Sequence, residues 1–105
     1  MKHKVITLCG SIKFQDDFLR VQHELTIQGN IVLMPVFLNN INTSIDITKL
    51  KPMLNEMHLQ KIDMSDEIFV VNRGGYIGDS TKHEIEYAKS KNKNVKYIVY
   101  PDIQD

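Results

Sequence analysis

Short apolar runs recur along the chain and alternate with segments of helical periodicity. Runs of this kind, bounded by polar or turn-forming residues, are typical of strands that are buried on both faces of a parallel sheet. Proline stops the second run at Pro35 and the last run at Pro101, because proline lacks the N–H that a sheet requires. The pattern predicts strands at residues 5–9, 31–34, 68–71 and 95–100.

The first predicted helix follows Gly10, and Ser11 is a suitable cap for it. Asp16 and Asp17 lie near its start, where negative charge suits the helix dipole, and Gly29 ends it. Its apolar positions recur at the spacing of one buried stripe: Phe14, Phe18, Val21 and Leu25.

A second helix is predicted from about residue 51 to residue 64, with Pro52 in its first turn, where proline is tolerated. Its candidate inner face consists of Leu54, Met57 or His58, and Ile62. The preceding segment, 37–47, is rich in Asn, Thr, Ser and Asp and predicts a long loop.

A glycine-rich segment, 72–78, separates the third strand from the third helix. Its glycines permit positive φ angles or a close approach of the backbone to a ligand. Good N-cap residues follow, and Thr81 and Glu84 have the spacing of a capping box. These features predict a helix that starts between Asp79 and Thr81 and carries Glu84 in its first turn.

The resulting order, βαβαβαβ, predicts a single α/β domain over residues 1–105 of the flavodoxin or Rossmann-like kind. Right-handed crossovers favour a parallel four-stranded sheet of order 2-1-3-4 with helices on both faces. In such a sheet the topological switch point lies between strands one and three, where ligands bind at the carboxyl ends. Segments 9–13 and 72–84 should therefore converge on one cleft.

The charge balance limits the classes of binding partner, and the apolar runs and the cysteine content indicate the cellular location. Thirteen basic and thirteen acidic residues cancel, which argues against a nucleic-acid polymer or an anionic membrane as a partner but allows a small nucleotide. The longest apolar run is too short to span a bilayer, and the first one is too short for a signal sequence. Cys9 is the only cysteine, so a reducing, cytoplasmic location is expected.

No pair of histidines, cysteines or carboxylates has a metal-ligand spacing in the sequence, and one cysteine excludes a cysteine-rich zinc site. We therefore expect neither a metal nor another cofactor.

Each candidate site residue has a structural alternative. Ser11 and Lys13 either meet a phosphate at a helix N-terminus or form a cap and a solvated cation. Glu84 is either a nucleophile or base above the glycine loop or the closing member of a capping box. Asp79 either orients a ligand hydroxyl or caps the helix, and Tyr76 either stacks on a base or covers the core.

Two segments, 8–13 (LCGSIK) and 79–88 (DSTKHEIEYA), resemble the nucleoside 2-deoxyribosyltransferase superfamily. The nearest branch is that of the small nucleoside 5′-monophosphate N-glycosidases. The resemblance implies that Glu84 attacks the anomeric carbon of a nucleoside and displaces the base, and that Asp79 binds the ligand. It also implies that Ser11 and Lys13 hold a 5′-phosphate, and that the chain forms a homodimer or a larger homo-oligomer.

The sequence departs from this family at three positions. Thr7 replaces a tyrosine that orients the nucleophile, His58 replaces a catalytic aspartate, and Gly78 replaces a phosphate-binding serine. His58 has a reference pKa near neutrality and is a candidate proton donor to the leaving base.

We therefore predict an N-glycosidase or deoxyribosyltransferase with Glu84 and His58 as catalytic residues. The predicted substrate-binding residues are Cys9, Gly10, Ser11, Lys13, Gly75, Tyr76, Gly78, Asp79 and Ser80. The main alternative is a nucleotide-binding module of the same fold that lacks the chemistry. A phosphocysteine loop at Cys9 is disfavoured, because bulky residues follow it where small ones would wrap a phosphate.

Overall fold

A computed structural model of the chain describes residues 2–38 and 46–98. The strands are β1 (Val5–Gly10), β2 (Ile31–Leu33), β3 (Glu67–Val71) and β4 (Asn94–Ile98). The helices are α1 (Gln15–Ile27), α2 (Ile47–Met64) and α3 (Asp79–Ser90), with short 3₁₀ turns at Ile12–Phe14 and Arg73–Gly75. All four strands are parallel in the order β2-β1-β3-β4, which confirms the predicted fold class.

The helices cover both faces of the sheet. Alternate side chains of β1 point to opposite faces, so β1 contributes to the core on each side. On one face Ile6 and Leu8 pack against the α1 stripe, whose residues Phe18, Val21 and Leu25 are buried as predicted. On the other face Cys9 joins a second cluster with residues from α2, β3 and α3: Ile62, Ile68, Val70, Ile85 and Ala88.

Two helices begin elsewhere than the sequence predicted. Ser11 caps a 3₁₀ turn, with its hydroxyl accepting from the Lys13 amide, and α1 follows only at Gln15. Helix α2 begins at Ile47, because Asp46 caps it through the Thr48 amide. Pro52 is thus the sixth residue of α2 and not in its first turn.

The predicted capping box at the start of α3 is wrong. The helix begins at Asp79, Gly78 occupies the N-cap position, and the Lys82 amide donates to the Gly78 carbonyl at 2.9 Å. Thr81 is buried, and Glu84 is the sixth residue of the helix, so that it lies in the second turn and not in the first. The Glu84 carboxylate is therefore not used for capping.

Part of the predicted loop, at 39–45, and the predicted end of the last strand lie outside the described residues. Within the described part of the chain, no helix combines the length and apolar character needed to cross a membrane.

Candidate active site

A cavity of about 600 Å³ opens at the switch point between β1 and β3. Its wall comes from the segments that follow β1 and β2, from α2, and from the glycine-rich segment with the start of α3. The lining residues from the first two segments are Gly10, Ser11, Ile12, Pro35, Val36 and Leu38. Those from α2 are Ile47, Lys51, Leu54, Asn55, Met57, His58 and Lys61. The last group comprises Tyr76, Gly78, Asp79, Ser80, Thr81 and Glu84.

Most of the residues predicted to form the site line this cavity: Gly10, Ser11, His58, Tyr76, Gly78, Asp79, Ser80 and Glu84. Cys9 lies beneath it, fully buried, with its Sγ 3.5 Å from Nε2 of His58. Gly75 and Lys13 do not line it. Gly75 is exposed, and Lys13 belongs to a separate depression beside Asp17 and Arg73.

Gly10 permits the close approach of the two strands that frame the cavity. Its φ angle is +151°, and a Cβ placed there would lie 2.6 Å from the carbonyl oxygen of Val71. That oxygen belongs to the backbone of β3 and cannot easily move. Glycine is therefore required at this strand end. Beyond β3, Gly74 and Gly75 also have positive φ angles, as their position in the loop predicted.

Three reactive side chains meet where the cavity wall joins the core. Nε2 of His58 lies 3.5 Å from Sγ of Cys9 and 3.7 Å from Oε1 of Glu84. His58 is 7% exposed, and the Glu84 side chain is 18% exposed. Since Met57 is 43% exposed and His58 is buried, His58 is the member of that pair that belongs to the inner face of α2.

Burial controls the protonation of this cluster. It raises the pKa of Glu84 to about 7, with a hydrogen bond from Cys9 opposing the shift. It lowers the pKa of His58 to about 4, and the charge of Lys61 adds to this effect. Burial also raises the pKa of the Cys9 thiol well above its usual range, helped by the charge of Glu84. His58 and Glu84 are close enough for an ion pair, but the shifts favour their neutral forms.

Tyr76 forms one side of the cavity entrance and is about half exposed. Its ring packs edge-on against Phe14, with the centroids 5.9 Å apart, and the Lys13 ammonium lies 3.7 Å from its centroid. The ammonium is thus placed over an aromatic face. A Cβ at Gly78 would lie 3.2 Å from the Tyr76 hydroxyl oxygen.

The sequence did not reveal the importance of Asp17. Its carboxylate is buried, and it accepts hydrogen bonds from Arg73 Nε at 2.7 Å and from Arg73 Nη2 at 2.6 Å. Arg20 binds the same carboxylate. These contacts fix the loop after β3 against the start of α1. Such a pairing between residues distant in the chain has no local sequence signal.

Apart from His58, the sequence did not identify the wall formed by α2 and the segment after β2. Lys61 donates from Nζ to the Met34 carbonyl at 2.8 Å, which ties α2 to that segment. The Thr7 hydroxyl donates to the Lys61 carbonyl at 2.9 Å. The predicted strand order could have placed the segment after β2 at this edge, because β2 neighbours β1.

Comparison with known proteins gives structural matches only. No protein-family model and no curated protein matches this sequence. Among solved structures, the 2-deoxyribosyltransferase of Bacillus psychrosaccharolyticus superimposes with a TM-score of 0.76 at 15% identity, over 96% of this chain and 77% of that one. The corresponding enzyme of Leishmania mexicana superimposes with a TM-score of 0.68 at 17% identity, over 91% of this chain and 64% of that one.

The chain therefore spans about three quarters of the bacterial enzyme and slightly less than two thirds of the Leishmania enzyme. At these identities the similarity is one of fold: the chain folds as the 2-deoxyribosyltransferases do.

Proposed function

We propose that this protein cleaves the N-glycosidic bond of a nucleoside, with Glu84 as the nucleophile. The observation that carries the proposal is the Glu84 carboxyl group, which is mostly buried, not used for capping, and part of the wall of an open cavity at the switch point. Ligands of open α/β sheets bind at this location. The fold shared with two 2-deoxyribosyltransferases makes a nucleoside the favoured ligand.

In the proposed reaction an oxygen of the ionised Glu84 attacks C1′ of the sugar. The bond between C1′ and the base nitrogen breaks, and the base leaves with the bonding electron pair and takes up a proton. This produces a covalent glycosyl ester on Glu84. A water molecule then attacks C1′, the bond between C1′ and Glu84 breaks with its electron pair returning to the carboxylate, and the water gives up one proton, which balances the proton taken up by the base. A second base that attacks in place of water gives transfer.

The cavity suits a ligand of this size and polarity. Its volume of about 600 Å³ is within the usual range for small-molecule sites. Asp79 and Ser80 open α3 and offer a carboxylate and a hydroxyl to sugar oxygens. The exposed face of Tyr76 is suited to stack on a base.

His58 contributes in a way that differs from the sequence-based expectation. Because burial lowers its pKa to about 4, the imidazole is neutral near pH 7 and is a poor proton donor. Its contact with Oε1 supports a role in orienting the Glu84 carboxylate. We propose that His58 is a positioning residue for the nucleophile.

Support for a 5′-phosphate site is weaker than support for a nucleoside site. Ser11 lines the cavity, but the lysine expected to hold the phosphate lies over the Tyr76 ring and outside the lining. We propose nucleosides as substrates and keep nucleoside 5′-monophosphates as the second class to test. Assembly into a homodimer and a cytoplasmic location stay predictions.

The test is base release, followed by chromatography, from a panel of ribo- and deoxyribonucleosides and their 5′-monophosphates. We expect Glu84→Gln to reduce base release by at least about 10³-fold, as for loss of a covalent nucleophile. Glu86→Gln, on the exposed side of the same helix, is the matched control and should retain the wild-type rate.

Ligand binding without base release from any substrate would overturn the proposed reaction and favour a nucleotide-binding module. Equal rates for wild type and Glu84→Gln would instead remove Glu84 from the mechanism.

A further inference from the structure

The cluster beneath the cavity contains three side chains of the kinds that bind metal ions. One ligand atom each from Cys9, His58 and Glu84 lies within 4.8 Å of the other two. The three residues come from β1, α2 and α3, so the sequence spacing gave no sign of a metal site.

Two of the three distances within the cluster are close to those of a tetrahedral zinc site, and the third, between Cys9 and Glu84, is at most 4.8 Å. With Zn–S bonds of about 2.3 Å and Zn–N or Zn–O bonds of about 2.0–2.2 Å, two ligand atoms lie about 3.4–3.6 Å apart. The measured separations are 3.5 Å between Cys9 Sγ and His58 Nε2 and 3.7 Å between that nitrogen and Oε1 of Glu84. Small side-chain movements would therefore complete the geometry.

The chemistry of the three ligands selects among metals. Thiolate and imidazole favour zinc and other thiophilic ions over Mg²⁺ and Ca²⁺, which take oxygen ligands. Three protein ligands with a fourth position open to solvent or ligand are typical of zinc sites that are not purely structural. Here two of the three residues, His58 and Glu84, line the cavity, which provides that open side.

We propose that Cys9, His58 and Glu84 form a binding site for Zn²⁺, with the fourth coordination position facing the cavity. A further consequence rests on the proposed function: a zinc-bound Glu84 is not available as a nucleophile, so zinc and the glycosidic reaction exclude each other.

Charge and proton balance are consistent with this site. On binding, zinc accepts an electron pair from Cys9 Sγ and the thiol proton leaves to the buffer. The thiolate and the Glu84 carboxylate together neutralise the two charges of the ion, which limits the cost of burying it. His58 would bind through Nε2 and carry its proton on Nδ1. In the metal-free protein the contacts of Nε2 with Cys9 and Glu84 favour a proton on Nε2, so zinc binding moves that proton to Nδ1, which is buried without a hydrogen-bond partner in the described part of the chain.

The experiment uses the full chain treated with EDTA and then titrated with Zn²⁺ by calorimetry and with Co²⁺ by absorption spectroscopy. We expect one ion per chain and a thiolate-to-cobalt charge-transfer band with the intense visible bands of a tetrahedral site. Cys9→Ser should abolish the charge-transfer band and weaken zinc binding by at least about 100-fold, since even outer contacts of metal ligands change affinity by 10–100-fold. His83→Ala, which removes an exposed histidine next to Glu84, is the control and should bind as wild type does.

Absence of binding at one ion per chain, or a charge-transfer band that persists in Cys9→Ser, would overturn the site. If Cys9→Ser does not fold, zinc-edge X-ray absorption of the wild type decides the point, because a sulfur neighbour supports the site and nitrogen and oxygen alone refute it. The two proposals fail separately. Metal-free protein that releases no base refutes the proposed reaction and leaves the cobalt spectrum as it is, whereas base release unaffected by bound zinc refutes the exclusion.

Discussion

Asp17 and Glu84 are two carboxylates that the fold buries near the ends of β1 and β3, and their surroundings are opposite. Asp17 accepts hydrogen bonds from Arg73 at 2.6 and 2.7 Å and pairs with Arg20 as well. The hydrogen bonds from Arg73 lower the pKa of Asp17 from its usual value. Glu84 meets a thiol and an imidazole instead of guanidinium groups, and burial raises its pKa to about 7.

The difference shows how the partner decides the use of a buried acid. Arginine fixes the charge of Asp17, which then serves to hold a loop against a helix. The neighbours of Glu84 leave its charge adjustable near neutral pH, which is the property expected of a reactive group. The following predictions test this contrast, and all use metal-free protein.

The largest effect on stability is expected at Asp17. Asp17→Asn should lower the free energy of unfolding at pH 7 by about 3 kcal/mol, because it removes the buried carboxylate charge that accepts hydrogen bonds from Arg73 and Arg20. Urea denaturation followed by circular dichroism measures this loss. Asp16→Asn, at the exposed neighbouring position, is the control. A loss below about 1 kcal/mol for Asp17→Asn would show that the arginines do not stabilise the fold through it.

Glu84→Gln should have the opposite sign and raise stability by about 2 kcal/mol at pH 8. A carboxyl group with a raised folded-state pKa binds its proton more tightly in the folded protein. The contribution of this protonated carboxyl group to the free energy of unfolding is fully present below the unfolded-state pKa near 4.5. It is lost as the pH rises through the folded-state pKa of about 7. The gain over wild type should therefore shrink to near zero at pH 4.

Urea denaturation at both pH values, with Glu86→Gln as the control, measures this difference. Equal stability of wild type and Glu84→Gln at pH 8 would mean that the Glu84 charge is well solvated, and the contrast with Asp17 would be lost.

The activity of the wild type should follow the same ionisation. If Glu84 attacks as the carboxylate, kcat/KM for base release should rise about tenfold between pH 6 and pH 8 and then level off, given a pKa of about 7. Initial rates at low substrate concentration test this. A rate that is already level at pH 5 would indicate that Glu84 ionises as easily as an exposed carboxyl group.

Lys13 should have the smallest effect, because its ammonium lies over Tyr76 on the side of Asp17 and outside the cavity. We expect Lys13→Met to change KM by less than about threefold for nucleosides and for 5′-monophosphates alike, as for a solvated surface cation. A KM that rises about tenfold for monophosphates only would restore the phosphate-binding role that the sequence suggested.

The sequence predicted the sheet order and the place of the cavity because both follow from strong, local patterns. Apolar runs marked the strands, and right-handed crossovers left few arrangements of them. The exact start of a helix was harder to predict. Asp46 and Gly78 are the N-cap residues of α2 and α3, whereas the sequence placed Pro52 in the first turn of α2 and offered residues 79–81 as caps of α3.

Contacts between distant residues could not be predicted from one sequence. Cys9 and His58 are 49 positions apart, and Asp17 and Arg73 are 56 apart. Whether such pairs meet depends on the register of the strands and on the rotation of each helix about its axis. The sequence suggested that Asp17 interacts favourably with the dipole of α1, and its position in the first turn is compatible with that role. The sequence did not indicate that Arg73 and Arg20 bind its carboxylate.

The absence of a side chain at Gly78 leaves room for the Tyr76 ring at the cavity entrance. A Cβ at that position would press on the Tyr76 hydroxyl oxygen, 3.2 Å away, and the phenol ring is the end of a side chain that can swing. Substitution at residue 78 therefore shifts the Tyr76 ring and changes the shape of the opening, without any change to the Glu84 side chain.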